Sequence, residues 1–176
     1  GSMIEISGGK MTDVGPRSSH IANLAYEVYT NVEDIVDPVL KEVHPKKDDP
    51  AYAYIECSNG KKFALTLSGA ANIAGYVKKD NYAYGNIEAA KKAWEPLAKN
   101  MGLTVEETAK LALHLANTKN GKVVESFIKD YGLDKSTLMF VGGGGGAASV
   151  VPHIAEEFGV KYKIAKNASV ISPIGV

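Results

Sequence analysis

The apolar and polar positions predict alternating strands and helices. A short apolar stretch at residues 3–6 is followed by Gly8-Gly9 and a second stretch at residues 11–14. This predicts two short strands across a glycine turn, with Gly15-Pro16 ending the second. Residues 51–57 alternate, Ser58-Asn59-Gly60 supplies a turn, and residues 63–67 form a second apolar run, which is a hairpin pattern. Between these pieces, "HPKKDDP" at residues 44–50 is a charged, proline-bounded loop.

After the hairpin the period becomes helical. Asn86 is placed to cap a helix whose face carries Ile87, Ala90, Trp94, Leu97, Ala98 and Met101, with Gly102 ending it. Pro96 lies inside and is expected to kink or split it. Thr104 and Glu107 have the spacing of a capping box for the next helix. Val124, Phe127, Ile128 and Tyr131 form the stripe of another, stopped by Gly132, with the break between the two expected near Asn120-Gly121. The last third reads as a strand at residues 137–141, a glycine loop, a helix at residues 147–158 capped by Gly159, and a strand at residues 162–165. Two strands flanking one helix make a βαβ-type unit, and the fold class is α/β.

Composition narrows the function. The 176 residues are 45% hydrophobic and 23% charged, as in a soluble globular protein, and fit one domain. Twenty basic side chains balance twenty acidic ones, which argues against a nucleic-acid binder. Cys57, the single cysteine, excludes an internal disulfide and a cysteine-rich zinc site. No apolar run reaches membrane-span length and no signal-peptide pattern opens the chain, so a cytoplasmic location is expected. Gly1-Ser2-Met3 reads as the remnant of an expression tag, leaving residues 4–176 as a single domain, and the apolar ending "ASVISPIGV" reads as that of an excised piece.

Five consecutive glycines, Gly142, Gly143, Gly144, Gly145 and Gly146, precede Ala147 at the start of the last helix. A loop from a strand to a helix N-terminus offers unpaired N–H groups and the positive end of the helix dipole. Without Cβ atoms, its backbone can lie against a flat ring or a phosphate. The alternative is a plain turn, or close packing of helix on strand. A Walker loop would need Gly-Lys-Ser/Thr where Ala147-Ala148 stand. Gly142, Gly144 and Ala147 satisfy G-x-G-x-x-A nominally, as any glycine run does, but Lys166 and Asn167 occupy the region where a dinucleotide fold wants an acid.

Other candidates each carry two readings. Arg17, Ser18 and His20 form a polar knot. Arg17 is suited to hold a carboxylate or phosphate and His20 to shuttle a proton, or both serve local structure. Asp13 is the nearest carboxylate, a water-mediated Mg²⁺ ligand or a turn residue. His44, His114 and His153 have no metal-ligand spacing, and no metal site is assigned. His153 fits a half-buried helix position. Asn72, within "LSGAANIAGY", is placed to contact a ligand, or the stretch is structural, with Ser68 starting a helix and its small residues packing. Tyr76, Tyr82 and Tyr84 line a cleft or cover the sheet edge. No nucleophile elbow or Cys–His pair is present.

The segments "VGPRSSHIANLAYEVY", "FALTLSGAANIAGY", "EPLAKNMGLTVEETA", "VGGGGGAASVVPHIAEEFGV" and "NASVISPIG" resemble, in that order, the hydantoinase/oxoprolinase family over essentially the whole chain. The resemblance implies an ATP-dependent enzyme opening cyclic amides such as hydantoins and 5-oxoproline. It also implies one lobe of an actin-like (ribonuclease H-like) ATPase fold, a mixed sheet flanked by helices. Two lobes clamp ATP in that class, and a glycine-rich strand-to-helix turn packs against adenosine; Gly142 to Gly146 match that turn. The loops that hold the phosphates and Mg²⁺ in that class have no clear counterpart here, because Gly8-Gly9 precede Lys10 rather than Thr. The chain therefore reads as the C-terminal part of a larger enzyme, partnered by the rest of the parent chain or by another subunit. Family chemistry would phosphorylate the amide oxygen before water opens the ring. "SHIANLAYEVY" departs from the family's Gly-Pro-rich continuation after "VGPRS" and points to a different substrate. Two alternatives remain: a subunit-interaction module of an assembly like acetone carboxylase, or a dinucleotide-binding domain.

Overall fold

In the computed structural model, which describes residues 1–171, the chain begins with β1 (Ser2–Ser7) and β2 (Lys10–Ser18), antiparallel across Gly8 and Gly9. Both glycines adopt positive φ, as so tight a turn requires. Gly15-Pro16 does not end β2 as expected. Val14 pairs with Ile4 and Ser18 with Ser2, so the extra residues bulge out of the ladder, with Gly15 at φ +61°. Proline lacks an N–H, and a bulge is where a strand tolerates that loss. Ser2 and Met3 belong to this hairpin, and Met3 is fully buried.

Next come β3 (Ala25–Tyr26), β4 (Val39–Val43), β5 (Tyr52–Glu56) and β6 (Lys62–Ala64). The expected hairpin is present, pairing Tyr54 with Ala64 and Ile55 with Phe63. β4, which has no alternation strong enough to read, runs along the whole of β5, while β1 and β6 share the other edge. β3 joins β6 in parallel, making the sheet mixed.

The remaining elements are α1 (Leu67–Ile73), α2 (Ile87–Met101), α3 (Val105–Asp130), β7 (Met139–Gly142), α4 (Ala147–Phe158) and β8 (Lys161–Ile164). Strand alternation sorts the core onto two faces. Ile4, Ile6, Ala53, Ile55, Phe63 and Leu65 face a large core with Trp94, Leu97 and Leu113 of the helices. Met3, Tyr52 and Ala64 face the other way, covered by Ala22 and Leu24.

Capping follows the sequence closely. Asn86 accepts from the Ala89 N–H, Thr104 and Glu107 form the reciprocal box, and Gly102 and Gly159 close their helices in the left-handed conformation. Two expected breaks are absent. Pro96 does not split α2, which runs unbroken, and α3 is one helix of 26 residues with no break at Asn120-Gly121. Gly121 is buried there because the Phe158 ring lies 3.4 Å from where its Cβ would sit, so it serves packing. The Val124–Tyr131 stripe is only partly covered: Val124 and Ile128 are half-buried, while Phe127 is 55% and Tyr131 72% exposed.

β7 and β8 pair in parallel around α4, confirming the βαβ unit. Among the described residues this sheet has only two strands, unlike the broad parallel sheet of a dinucleotide fold. α4 covers one face, with Phe140 against Phe158, while Met139 and Val141 of the other remain exposed.

Among the described residues, Glu27 is the one charged side chain sealed completely in the core. Its carboxylate accepts from the Thr66 N–H at 2.8 Å, the Thr66 hydroxyl at 3.1 Å and the Trp94 indole N–H at 2.9 Å. Thr66 also caps α1, accepting from the Gly69 N–H. A Cβ at Gly69 would overlap the carboxylate, so only glycine fits. Burial pushes the Glu27 carboxyl up to about 7, against the hydrogen bonds from Trp94 and Thr66. A proton held more tightly in the folded than in the unfolded chain favours folding at low pH. This contribution, on the order of 3 kcal/mol, is complete below about pH 4.5 and lost as pH rises through about 7. Urea denaturation at pH 5 and pH 8 is expected to show the wild type losing more stability than Glu27→Gln, which keeps an acceptor but cannot titrate.

Candidate functional site

The five glycines have different jobs. At Gly142 a Cβ would lie 2.9 Å from Val151 and 3.1 Å from Ile164, so this glycine lets α4 approach β7 and β8. Gly143 would meet Ile171 at ordinary contact distance. Gly144 takes φ +100° and turns the chain, while Gly145 and Gly146 have nothing within 4 Å of a built Cβ. Gly146 is the N-cap of α4 and brings no side-chain acceptor, and Ala147 is buried behind it. No acidic residue stands in the first turn to offset the dipole.

Gly145 and Gly146 form one wall of a cavity of about 690 Å³. Opposite stand aromatic rings: Tyr26 and Tyr29 stack at 5.5 Å, His20 meets Tyr26 edge-on at 5.8 Å, and Tyr82 reaches in from the loop after α1. Bare main chain facing aromatic rings makes a slot suited to a flat, partly apolar group.

The walls are fixed from behind. Asn72, fully buried, bonds the Ser68 and Ala83 carbonyls through its amide nitrogen and receives the Gly85 N–H, pinning the 83–85 turn to α1. The Tyr29 hydroxyl donates to the same Ala83 carbonyl at 3.0 Å. Tyr76 anchors the start of this loop to α4 through Glu156 at 2.5 Å and stands edge-on to His153. Burial, then the Glu156 carboxylate, pushes the Tyr76 phenol up to about 12. His153 bonds Asn117 at 2.5 Å, and burial lowers its pKa. Of the three tyrosines singled out in the sequence, Tyr82 lines this cavity, while Tyr76 and Tyr84 pack against the core.

The polar candidates separate. His20 lines the glycine-loop cavity and bonds Ser18 at 3.0 Å. Arg17 does hold a carboxylate, but an internal one, Asp49 at 2.8 Å. Asp13 pairs with Lys119 and accepts from the Val14 N–H. Neither lines the cavity. Among the described residues no group of three or more His, Cys, Asp or Glu is placed to hold a metal ion, and no helix is long and apolar enough to cross a membrane. Sequence reasoning missed Glu27 and the Tyr26–Tyr29 pair. The only signal was an acid set inside "LAYEVY", where a solvated strand would not be so apolar.

The hydantoinase/oxoprolinase family profile matches residues 1–176. The chain belongs to that family. Among solved structures, this member is similar to a nucleotide-free structure of acetone carboxylase, an enzyme of ATP-dependent acetone carboxylation. The TM-score is 0.58 at 18% identity, over 99% of this chain and 21% of that one. The likeness establishes a shared fold, and this family member spans about a fifth of its neighbour's length. No curated protein matches the chain.

The division of labour in the glycine run is open to a direct check. Gly142→Val should cost about 1–3 kcal/mol by overpacking α4 against β7 and β8. Gly145→Val, entering open space without positive φ, should leave the thermal midpoint within a degree or two of wild type.

Proposed function

We propose that this chain supplies the adenosine half of the nucleotide site in an ATP-dependent enzyme of the hydantoinase/oxoprolinase type, one that opens small cyclic amides. One observation carries the reading: the bare backbone of Gly145 and Gly146, at the uncapped start of α4, faces a cavity walled by Tyr26, Tyr29 and Tyr82. A purine lies flat in such a slot by stacking, and the ribose takes the edge where main-chain N–H groups are free. Gly142 and Ala147 hold the turn in place, and His20 is positioned at the rim to meet the ligand's polar edge.

The lobe would belong to an actin-like ATPase, the parent chain or a partner subunit supplying the loops for Mg²⁺ and the reacting phosphate. One finding supports the fragment reading: the chain spans 21% of the acetone carboxylase chain. ATP, when bound, would supply the phosphoryl group that activates an amide oxygen. The residues described here would bind and orient the nucleoside and exclude water from its faces.

Calorimetry tests this. Adenosine is expected to bind in the millimolar range and ATP more weakly than micromolar, with no hydrolysis by the chain alone, because the reacting phosphate lacks its clamp. Gly145→Val, which fills the slot, should abolish nucleoside binding while leaving the fold intact. Micromolar affinity, turnover by the isolated chain or an unchanged Gly145→Val variant would each overturn the proposal.

A further inference from the structure

The aromatic cavity does not end at the glycine turn. Tyr82 and Gly145 also line a smaller cavity of 270 Å³, reached past Gly144. That cavity shares Asp80, Asn81, Ala148, Ala165 and Asn167 with a third of 840 Å³. The three cavities adjoin along these shared residues, and we treat them as one groove that runs from the tyrosines, past the bare turn, to the side of α4 and β8.

The two arms differ in chemistry. The far arm is lined by Lys78 from the loop after α1, Lys163 from β8 and Lys166 from the turn that follows. Of the nineteen lysines only Lys61, Lys62, Lys91 and Lys119 have a described carboxylate partner, so what sets Lys78, Lys163 and Lys166 apart is that they line one concavity together. None of the three groove lysines pairs with any described carboxylate. One acid, Asp80, faces them across the arm. Unpaired cations gathered round a concavity from separate elements repel one another and focus a positive potential into it, which an anion relieves. Three cations spread along a space of this size match a chain of several negative charges better than one carboxylate.

We propose that the lysine arm holds the oligophosphate of the nucleotide whose base occupies the aromatic arm. This rests on the nucleoside reading above and adds to it a phosphate contact within this chain, through Lys78, Lys163 and Lys166. The glycine turn is then the saddle over which the ligand crosses, where the bare backbone of Gly144, Gly145 and Gly146 leaves open the space that side chains would fill.

Calorimetry with adenosine, ATP and inorganic tripolyphosphate, at low and physiological ionic strength, tests the assignment. ATP should bind about tenfold more tightly than adenosine at low salt, and the advantage should shrink as salt is raised. The triple variant Lys78→Gln, Lys163→Gln, Lys166→Gln should bring ATP down to the affinity of adenosine and leave adenosine itself unchanged. A control carrying Lys99→Gln, Lys122→Gln and Lys129→Gln, with the same charge change outside the groove, should keep the ATP advantage. Asp80→Asn should strengthen ATP and tripolyphosphate alike. Equal affinities of wild type for ATP and adenosine, or an ATP advantage that survives the triple variant, would overturn the proposal. Tripolyphosphate binding that needs the three lysines, with no adenosine binding at all, would keep the anion site and remove the nucleoside reading instead.

Discussion

The buried carboxylate of Glu27 is the constraint from which the site takes its shape. A charged group removed from water demands partners, and here they come from three places: the Thr66 main chain, the Thr66 hydroxyl and the Trp94 indole. Those contacts tie the 3₁₀ turn at Glu27–Tyr29 to the junction of β6 with α1 and to the middle of α2. Tyr26 and Tyr29 flank Glu27 in sequence, so fixing the acid fixes the aromatic wall. Gly69 follows from the same demand, since the carboxylate occupies the space a side chain there would need.

Opposite that wall, the glycine run reconciles two requirements that conflict. The βαβ unit wants its helix close to its strands, which Gly142 permits, and the groove wants a backbone stripped of side chains, which Gly145 and Gly146 provide. Gly144 joins the two by adopting a conformation that L residues avoid. Five glycines are therefore several solutions placed end to end.

Much of this was legible. Caps were readable because they depend on local chemistry: Asn86, Thr104 with Glu107, Gly102 and Gly159 act within one turn of helix. Hairpin turns at Gly8-Gly9 and Gly60 were readable for the same reason. Errors arose where a distant partner decided. Gly121 looks like a breaker until Phe158 is seen against it, and Gly15-Pro16 looks like a strand end until the register on β1 shows a bulge. β4 carries little alternation because it lies at the edge of the sheet, paired with β5 alone, and only Leu40 and Val43 reach the core clusters. In the site, the glycine turn was visible as a run of one residue type, while its tyrosine wall and the lysine arm were each scattered over two segments. Spacing in sequence does not encode a cavity assembled from such separate pieces.

The groove lies between parts of unequal solidity. On one side the six-stranded sheet and its helices share a continuous core; on the other stands a pair of strands and one helix, with Met139 and Val141 open to solvent. A two-stranded parallel ladder is weak alone, so α4 supplies most of what keeps β7 and β8 ordered. Local opening should begin in this unit at less free energy than unfolding of the whole chain. Anything bridging the groove would bind only the closed arrangement, and its affinity would be spent partly on holding the lesser unit shut. Occupancy would then be felt at β7 and β8 as slower amide exchange, well before any change in the global midpoint.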